Sequence, residues 1–468
     1  MTASAPAPND VPATPLAWRA AAAGILAGGA AVGFLVSRDR FGRLVALGAA
    51  GVTIGCAVPV ALASRRPPIS PESAAEALGV LPTPPTFTVL VGARDEADVL
   101  PRLVRDVARQ DHRSTDGEPL FELIVVDDRS VDGSSEVVAA AARDFGIDSV
   151  TRVIRRQGDG LPDGKGAALT AAQPDVCRGD VILVLDADAR IEPCFLRRAA
   201  GYFAAGANAV TARRRILDAG SGWLAGAQAD EQTLDGELNR GRWAMGGCSE
   251  FRGNGIMIRR ELLGAVGGWR AAALTEDIDL SSRVAALTGE RVAWAIDAEV
   301  WEEPVRSVTG LWRQRLRWAE GGFRRAFEHG PAVVSSTRLP ASARLDFVAY
   351  VGQLAAPAVI AGAAAAAVAT GRKRSLVALL AAYLGVGAGV GWDALRWERR
   401  TDGGALGGAE RARRSLRIAL FNGFWLAVVP RALLNIALRG GSVRYEKMAH
   451  DGAGGAGWDS SADAPRER

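Results

Sequence analysis

From Thr86 to Leu185 the chain alternates short apolar runs with amphipathic ones, and this rhythm constrains the fold more than any other feature. Phe87 to Ala93, Phe121 to Val126, Thr151 to Ile154 and Val181 to Leu185 read as strands. Asp98 to Ala108, Ser134 to Ala142 and Lys165 to Ala172 read as the helices between them. Strand–helix alternation at this spacing predicts an α/β domain whose mostly parallel sheet carries helices on both faces. Ligands bind such sheets beyond the carboxyl ends of the strands. The residues at those ends are therefore the functional candidates.

The second strand runs into Asp127 and Asp128, and the fourth into Asp186-Ala187-Asp188. Two carboxylates one residue apart can approach a single hard cation if the chain turns just after the strand. Such a cation would bridge the phosphates of a nucleotide. An Asp-x-Asp pair also occurs in solvated surface turns; its place after a fully apolar strand sets this one apart. Between the two strands, Asp163-Gly164-Lys165-Gly166 offers an ammonium on a glycine-lined turn, suited to a phosphate or simply to a helix start.

Three further stretches carry chemistry. Glycines flank Asn254 in Phe251 to Ile258 and allow close backbone approach to a ligand. Thr275-Glu276-Asp277-Ile278-Asp279 opens a helix, where its acids can be plain capping or hold a general base for a hydroxyl, assistance worth about 10²–10⁴-fold. Gln314-Arg315-Leu316-Arg317-Trp318 lies in a helical pattern from Val308 to Phe327, and positions 314, 317 and 318 share one face. That face offers a guanidinium for phosphate and an indole platform for a sugar. An Arg/Trp helix also suits interfacial anchoring at a membrane.

Composition removes several alternatives. The net charge of +4 is spread over scattered arginines, with no basic block interleaved with aromatics, so no nucleic-acid footprint is expected. The four cysteines form no Cys-x-x-Cys pair, and free thiols fit a reducing compartment. Three histidines, His112, His329 and His450, exclude a His-Glu-x-x-His site. A Walker loop fails at Asp159, where glycine is needed.

Apolar runs flank this region. Ala20 to Val36 reaches about 25 Å as a helix, just short of a ~30 Å hydrocarbon core, and Leu44 to Ser64 follows. We expect a disordered segment over 1–16, a transmembrane hairpin over 17–64 and a Pro-rich linker over 65–85. The α/β domain is expected over 86–330, membrane or interfacial helices over 331–440 and a polar tail over 441–468. In the C-terminal part Phe347 to Thr370, Leu376 to Trp392 and Ile418 to Leu438 are candidate spans. Pro430 and Arg431 break the last one, and a central Arg costs roughly 2.5–3.5 kcal/mol on insertion scales.

The ordered set Asp127-Asp128, Asp186-Ala187-Asp188, Thr275-Glu276-Asp277 and Gln314 to Trp318 resembles the membrane-bound members of glycosyltransferase family 2. These include cellulose, chitin, hyaluronan and poly-N-acetylglucosamine synthases and ceramide glucosyltransferases. The resemblance covers roughly Thr86 to Phe327 and implies a GT-A fold and an inverting single displacement. It implies donor contacts from Asp127, Asp128, Asp186, Gln314 and Arg317, to which the glycine-lined turn read above adds Lys165, and Mg²⁺ or Mn²⁺ on Asp186 and Asp188. Asp277 looks like the catalytic base and Trp318 like a residue that packs on the acceptor; Glu276, next to that base, is also expected toward the acceptor. It further implies a nucleotide-sugar donor carried on UDP, a polysaccharide or lipid acceptor, and a multi-pass protein of a bacterial-type plasma membrane. The catalytic domain would be cytoplasmic; a partner subunit is not legible.

Tyr445 to Gly452 also resembles a segment that follows the last span in some relatives and is usually cytoplasmic. Three C-terminal spans would put it outside, so either the count is not three or one segment lies on the membrane. A sugar-nucleotide nucleotidyltransferase would share the sheet and the carboxylate pair but not the Gln314 to Trp318 motif. A non-catalytic membrane scaffold or sugar-binding partner predicts lost carboxylates, and all of them are present.

Overall fold

The computed structural model describes residues 14–36, 57–65, 69–158, 160–399 and 404–439. Most of the expected N-terminal segment, most of the second apolar run and the polar tail with Tyr445 to Gly452 lie outside the described residues. The strands are β1 Phe87–Ala93, β2 Phe121–Asp128, β3 Thr151–Arg156, β4 Val181–Leu185, β5 Arg190–Ile191, β6 Ala209–Ile216, β7 Ile256–Arg259 and β8 Ala293–Glu302. They form one sheet in the order β3-β2-β1-β4-β7-β6-β8-β5.

β3, β2, β1 and β4 are parallel, with Ala93 opposite Asp127 and Val91 opposite Leu185. The carboxyl ends that carry Asp127, Asp128 and Asp186 therefore reach one edge of the sheet together. Successive side chains on a strand point to opposite faces, and here both faces are dry. Val89, Val91, Leu123, Val125 and Leu183 pack on one side with Leu103, Val138 and Phe195 from three helices. Leu90, Ile124, Val126, Ile182 and Val184 pack on the other with Leu169, Leu280 and Val284. Burial on both faces explains why these strands read as continuous apolar runs. β7 runs antiparallel between β4 and β6 and feeds Asn254 and its glycines toward the same edge.

The expected linker contains a helix, Pro71–Gly79. Ser70 caps it by accepting from the Ser73 N–H at 3.1 Å, and Pro71 fits its first turn. Ala74 of this helix packs against Gly201. The helix with Gln314 to Trp318 also runs further than the pattern suggested, over Val308–Ser335 through Pro331.

Among the described residues, Ala341–Ala369, Leu376–Trp397 and Gly408–Leu438 are long and apolar enough to cross a membrane. The helix Leu16–Val36 packs along the first of them and along Trp425–Leu438. The third stretch is two helices, Gly408–Asn422 and Trp425–Leu438. Arg431 sits on the exposed face of the second.

Candidate active site

Asp127 and Asp128 end β2, and the structure separates their surroundings. Asp128 is enclosed by arginines, with Arg129 Nε at 3.0 Å and Arg156 at 2.7 Å. Asp127 accepts from the Ser130 N–H at 2.9 Å and from the Ser135 hydroxyl. It also lines a cavity of about 380 Å³ with Arg129, Ser130, Glu136, Arg156 and Gln157. That volume suits a small ligand. Arg129, at the mouth, is held at φ 62°, an uncommon conformation for a residue with a side chain. Its guanidinium pairs with Asp163, which also binds Arg94 at 3.0 Å, so the loop before Lys165 is tied across the ends of β1 and β2.

Lys165 is the centre of the arrangement. Its Nζ donates to Asp186 Oδ1 at 2.5 Å and to the Gly253 carbonyl at 2.8 Å, and lies 3.7 Å from Glu276 Oε1. One ammonium thus joins the Asp-x-Asp turn, the Asn254 loop and the Thr-Glu-Asp helix. Asp186 keeps 38% of its side chain exposed. Asp188 is buried, and its Oδ2 accepts the Glu303 N–H at 3.3 Å. Two carboxylate ligands are the donor chemistry that Mg²⁺ or Mn²⁺ takes. A carboxylate accepts in about four directions, so a lysine on Asp186 is compatible with a cation on the pair.

Asn254 is fully buried, and its Oδ1 accepts the Asp186 N–H at 3.2 Å, fixing the start of the turn. Its flanking glycines, 253 and 255, both have positive φ. At Gly255 the need is packing rather than ligand approach, because an added Cβ would run into the Ala212 side chain. Gly253 faces the site, and a Cβ there would lie 3.5 Å from Asp277 Oδ2.

Glu276 and Asp277 open the helix Glu276–Thr288. Burial pushes both carboxyls above their ordinary range. Lys165 opposes the shift at Glu276; at Asp277 the helix-start N–H of Ile278, then Arg252, Lys165 and Arg214, oppose it. Raised carboxyl values are what a general base working near neutrality requires. Asp279, two residues on, has a structural task. It binds Arg283 at 2.9 Å, Arg270 at 2.9 Å and His329 at 2.8 Å, locking this helix to Val308–Ser335.

On that second helix Gln314, Arg317 and Trp318 are half-buried on one face, as their spacing predicts. Gln314 Oε1 accepts from its neighbour Arg315. Trp318 is flanked by guanidiniums, Arg315 at 4.1 Å and Arg214 at 5.5 Å from the ring centroid. Sequence reasoning did not find Arg214, Arg315 or Glu231. Arg315 is buried and paired with Glu231, and Arg214 is held by Glu302 at 3.0 and 2.5 Å. The run Arg213-Arg214-Arg215 in a strand was the available signal. Alternation puts its middle member on the opposite face from its neighbours.

The description "glycosyltransferase like family 2" matches residues 84–321, about half of the chain. The chain belongs to this family. Curated relatives include the beta-monoglucosyldiacylglycerol synthase of Trichormus variabilis, 28% identical over 264 residues, covering 54% of this chain and 52% of that protein. The enzyme of the same name from Synechocystis is 29% identical over 246 residues, covering 52% and 49%. The matches thus span about half the length of these relatives. Among solved structures, the mannosyltransferase PcManGT from Pyrobaculum calidifontis, described in complex with GDP-Man and Mn²⁺, superposes with a TM-score of 0.50 at 20% identity. It covers 87% of this chain and 99% of that one. At that identity the likeness concerns the GT-A fold.

Proposed function

We propose that this family 2 member transfers a sugar from a nucleotide-sugar donor to a hydroxyl of a membrane lipid, by inverting single displacement. The observation that carries the reading is Lys165, which joins Asp186, Gly253 and Glu276 beside Asp277 at the carboxyl edge of the sheet. The cavity at Asp127 takes the nucleoside, with UDP as the carrier. Lys165 and the Asp186–Asp188 turn lie on the diphosphate side, and Arg317 and Gln314 close over it. Asp186 and Asp188 would hold a divalent cation, which would supply charge neutralisation for the leaving diphosphate.

Asp277 accepts the proton of the acceptor hydroxyl as that oxygen attacks the anomeric carbon, opposite the departing diphosphate. No covalent intermediate on the protein is required. The positive groups around the site favour the charge that develops on the leaving group. Trp318, braced by Arg214 and Arg315, offers its ring to the acceptor, with Glu276 beside it. The relatives' names, with the flanking apolar helices, favour a lipid acceptor over a polysaccharide. Glucose and diacylglycerol are the first donor sugar and acceptor to test. In this reading the catalytic domain faces the cytoplasm at a bacterial-type plasma membrane.

The test is nucleoside diphosphate release by the chain in detergent with Mg²⁺ or Mn²⁺, across a panel of nucleotide sugars and with diacylglycerol supplied. Release from one donor that needs the lipid and vanishes in Asp277→Asn supports the reading. Pyrophosphate as the released product would replace it with nucleotidyl transfer.

A further inference from the structure

The stretch Glu250 to Gly255 is neither helix nor strand, yet it meets the site at three points. The Gly253 carbonyl accepts from Lys165, Asn254 fixes the Asp186 turn, and the Phe251 N–H donates to Ser281 Oγ at 2.9 Å. Ser281 in turn donates to the Asp277 carbonyl at 2.8 Å. We infer that Tyr350, near the start of the apolar helix Ala341–Ala369, is a positioning residue for this loop and for Asp277, and that it acts through Arg252. The inference rests on the transferase reading above and adds a residue from outside the family-matched segment, which ends at 321.

Without a ladder of its own, such a loop keeps its shape through individual bonds. Gly253 and Gly255, at φ 75° and 76°, make the turn possible but do not stiffen it, because glycine is the most permissive residue. The stiff element is the Arg252 guanidinium. Its Nε donates to Asp235 at 2.7 Å, its Nη1 to Glu250 at 3.2 Å and its Nη2 to the Tyr350 hydroxyl at 3.0 Å. A guanidinium fork fixes the directions of its partners as well as their distances. Asp235 belongs to the helix Trp223–Ala244 and Glu250 to the loop itself. Tyr350 reaches in from the apolar helix.

Tyr350 is itself held in place. Its ring lies against the Arg242 guanidinium, 3.9 Å from the centroid, and Arg242 binds Asp346 at 2.9 Å, one turn earlier on the same helix. Residues four apart share a helix face. Asp346 also accepts the Cys248 N–H at 2.8 Å, two residues before the loop. Phe347 packs 5.0 Å from the Arg325 guanidinium, which binds Glu250 at 2.8 Å. Glu250 is thereby fixed from the side opposite Arg252. One face of the helix start is spent on the catalytic domain, while Leu345 and Val348 on the other are exposed.

A displacement of this helix therefore reaches Arg252, and through it Gly253, where an added Cβ would lie 3.5 Å from Asp277 Oδ2. Docking of the helix and positioning of the loop use different atoms of Tyr350. Docking uses the ring, together with Asp346 and Phe347. Positioning uses the hydroxyl, whose bond goes to Arg252. Tyr350→Phe removes the oxygen and keeps the ring, so it separates the two roles.

The full chain in detergent is the test system. Tyr350→Phe should lower kcat for nucleoside diphosphate release by about tenfold and leave the KM for the nucleotide sugar within about twofold of the parent, because a misplaced base slows the chemical step. Added to Arg252→Gln it should cost nothing further, since both changes break the same link. A kcat equal to the parent's, or losses that multiply in the double variant, overturn the inference. Hydrogen exchange tests it apart from activity. The amides of Phe251, Asn254 and Gly255 donate to Ser281 Oγ and to the Arg252 and Val184 carbonyls. In Tyr350→Phe they should exchange about tenfold faster or more, while those of β1 keep the parent's rates. Unchanged exchange in the loop overturns the inference whether or not the chain transfers sugar. A parent chain that releases no nucleoside diphosphate from any donor of the panel counts against the transferase reading, and the exchange rates then decide the positioning role.

Discussion

Gly321 carries no Cβ where the Thr275 side chain presses against its helix; a methyl group there would sit 2.5 Å from Thr275 Oγ1. The contact sets the distance between the Thr-Glu-Asp turn and the helix that bears Gln314, Arg317 and Trp318. Overpacking a tight contact costs about 1–3 kcal/mol, and relief here means moving one motif away from the other. Gly321→Ala should therefore lower kcat by about tenfold or more, since small misplacements of catalytic groups are costly. Donor binding should weaken less than kcat falls, because the residues lining the Asp127 cavity take no part in this contact and only Gln314 and Arg317 on the donor side would move with the helix. Steady-state kinetics beside nucleotide-sugar titration separates the two; unchanged kcat would show that the spacing is not critical.

Lys165 is the shared counter-ion of Asp186 and Glu276. Its removal leaves two acids crowded without their cation and takes a donor from the diphosphate. Lys165→Ala is expected to lower kcat/KM by about 10²–10³, the loss typical of one preorganised donor. Lys165→Arg should recover little, because a planar fork does not replace a compact ammonium held between a carboxylate and a carbonyl. Diphosphate release by the two variants is the measurement.

The pH profile follows from Asp277. A base must be ionised, and burial raises its proton affinity above the ordinary aspartate range. Activity should therefore fall with acid at a higher pH than an exposed aspartate would dictate, as Asp277 protonates. Asp277→Asn should abolish transfer and keep donor binding. Removing Arg252, one of the cations that ease ionisation of Asp277, should move the acid limb further up in pH. A limb that stays in place in Arg252→Gln would detach Arg252 from the base.

Much of this was legible because local pattern and burial agree in the first half of the domain. β1 and β4 coincide with the apolar runs that announce them, since a strand buried on both faces has no polar alternation to blur its ends. β6 was not legible: three consecutive arginines hide it, and each finds its acid far away, in Glu398 or Glu302. The antiparallel place of β7 between β4 and β6 is likewise a long-range fact. At the site, the motif residues were readable but their partners were not. Nothing near Trp318 announces that Arg214 will flank its ring from a strand more than a hundred residues earlier.

Glu398, just after the helix Lys373–Ala394, links that helix to the catalytic domain, and the link should show in acid. It is buried between Arg213, Arg215 and Arg414, and although burial alone would raise it, these arginines hold the carboxyl down to about 2 from an ordinary 4.5. A carboxyl depressed in the folded state adds stability that is complete above its unfolded value and is lost as pH falls toward the folded one. The loss should therefore run from about pH 4.5 to about 2. Glu398→Gln should melt lower at neutral pH, because it leaves a buried arginine cluster short of an anion. Its melting temperature should also fall less steeply with acid than that of the parent in that window. Parallel acid slopes for the two proteins in detergent would mean that other carboxylates carry the acid sensitivity of the domain interface.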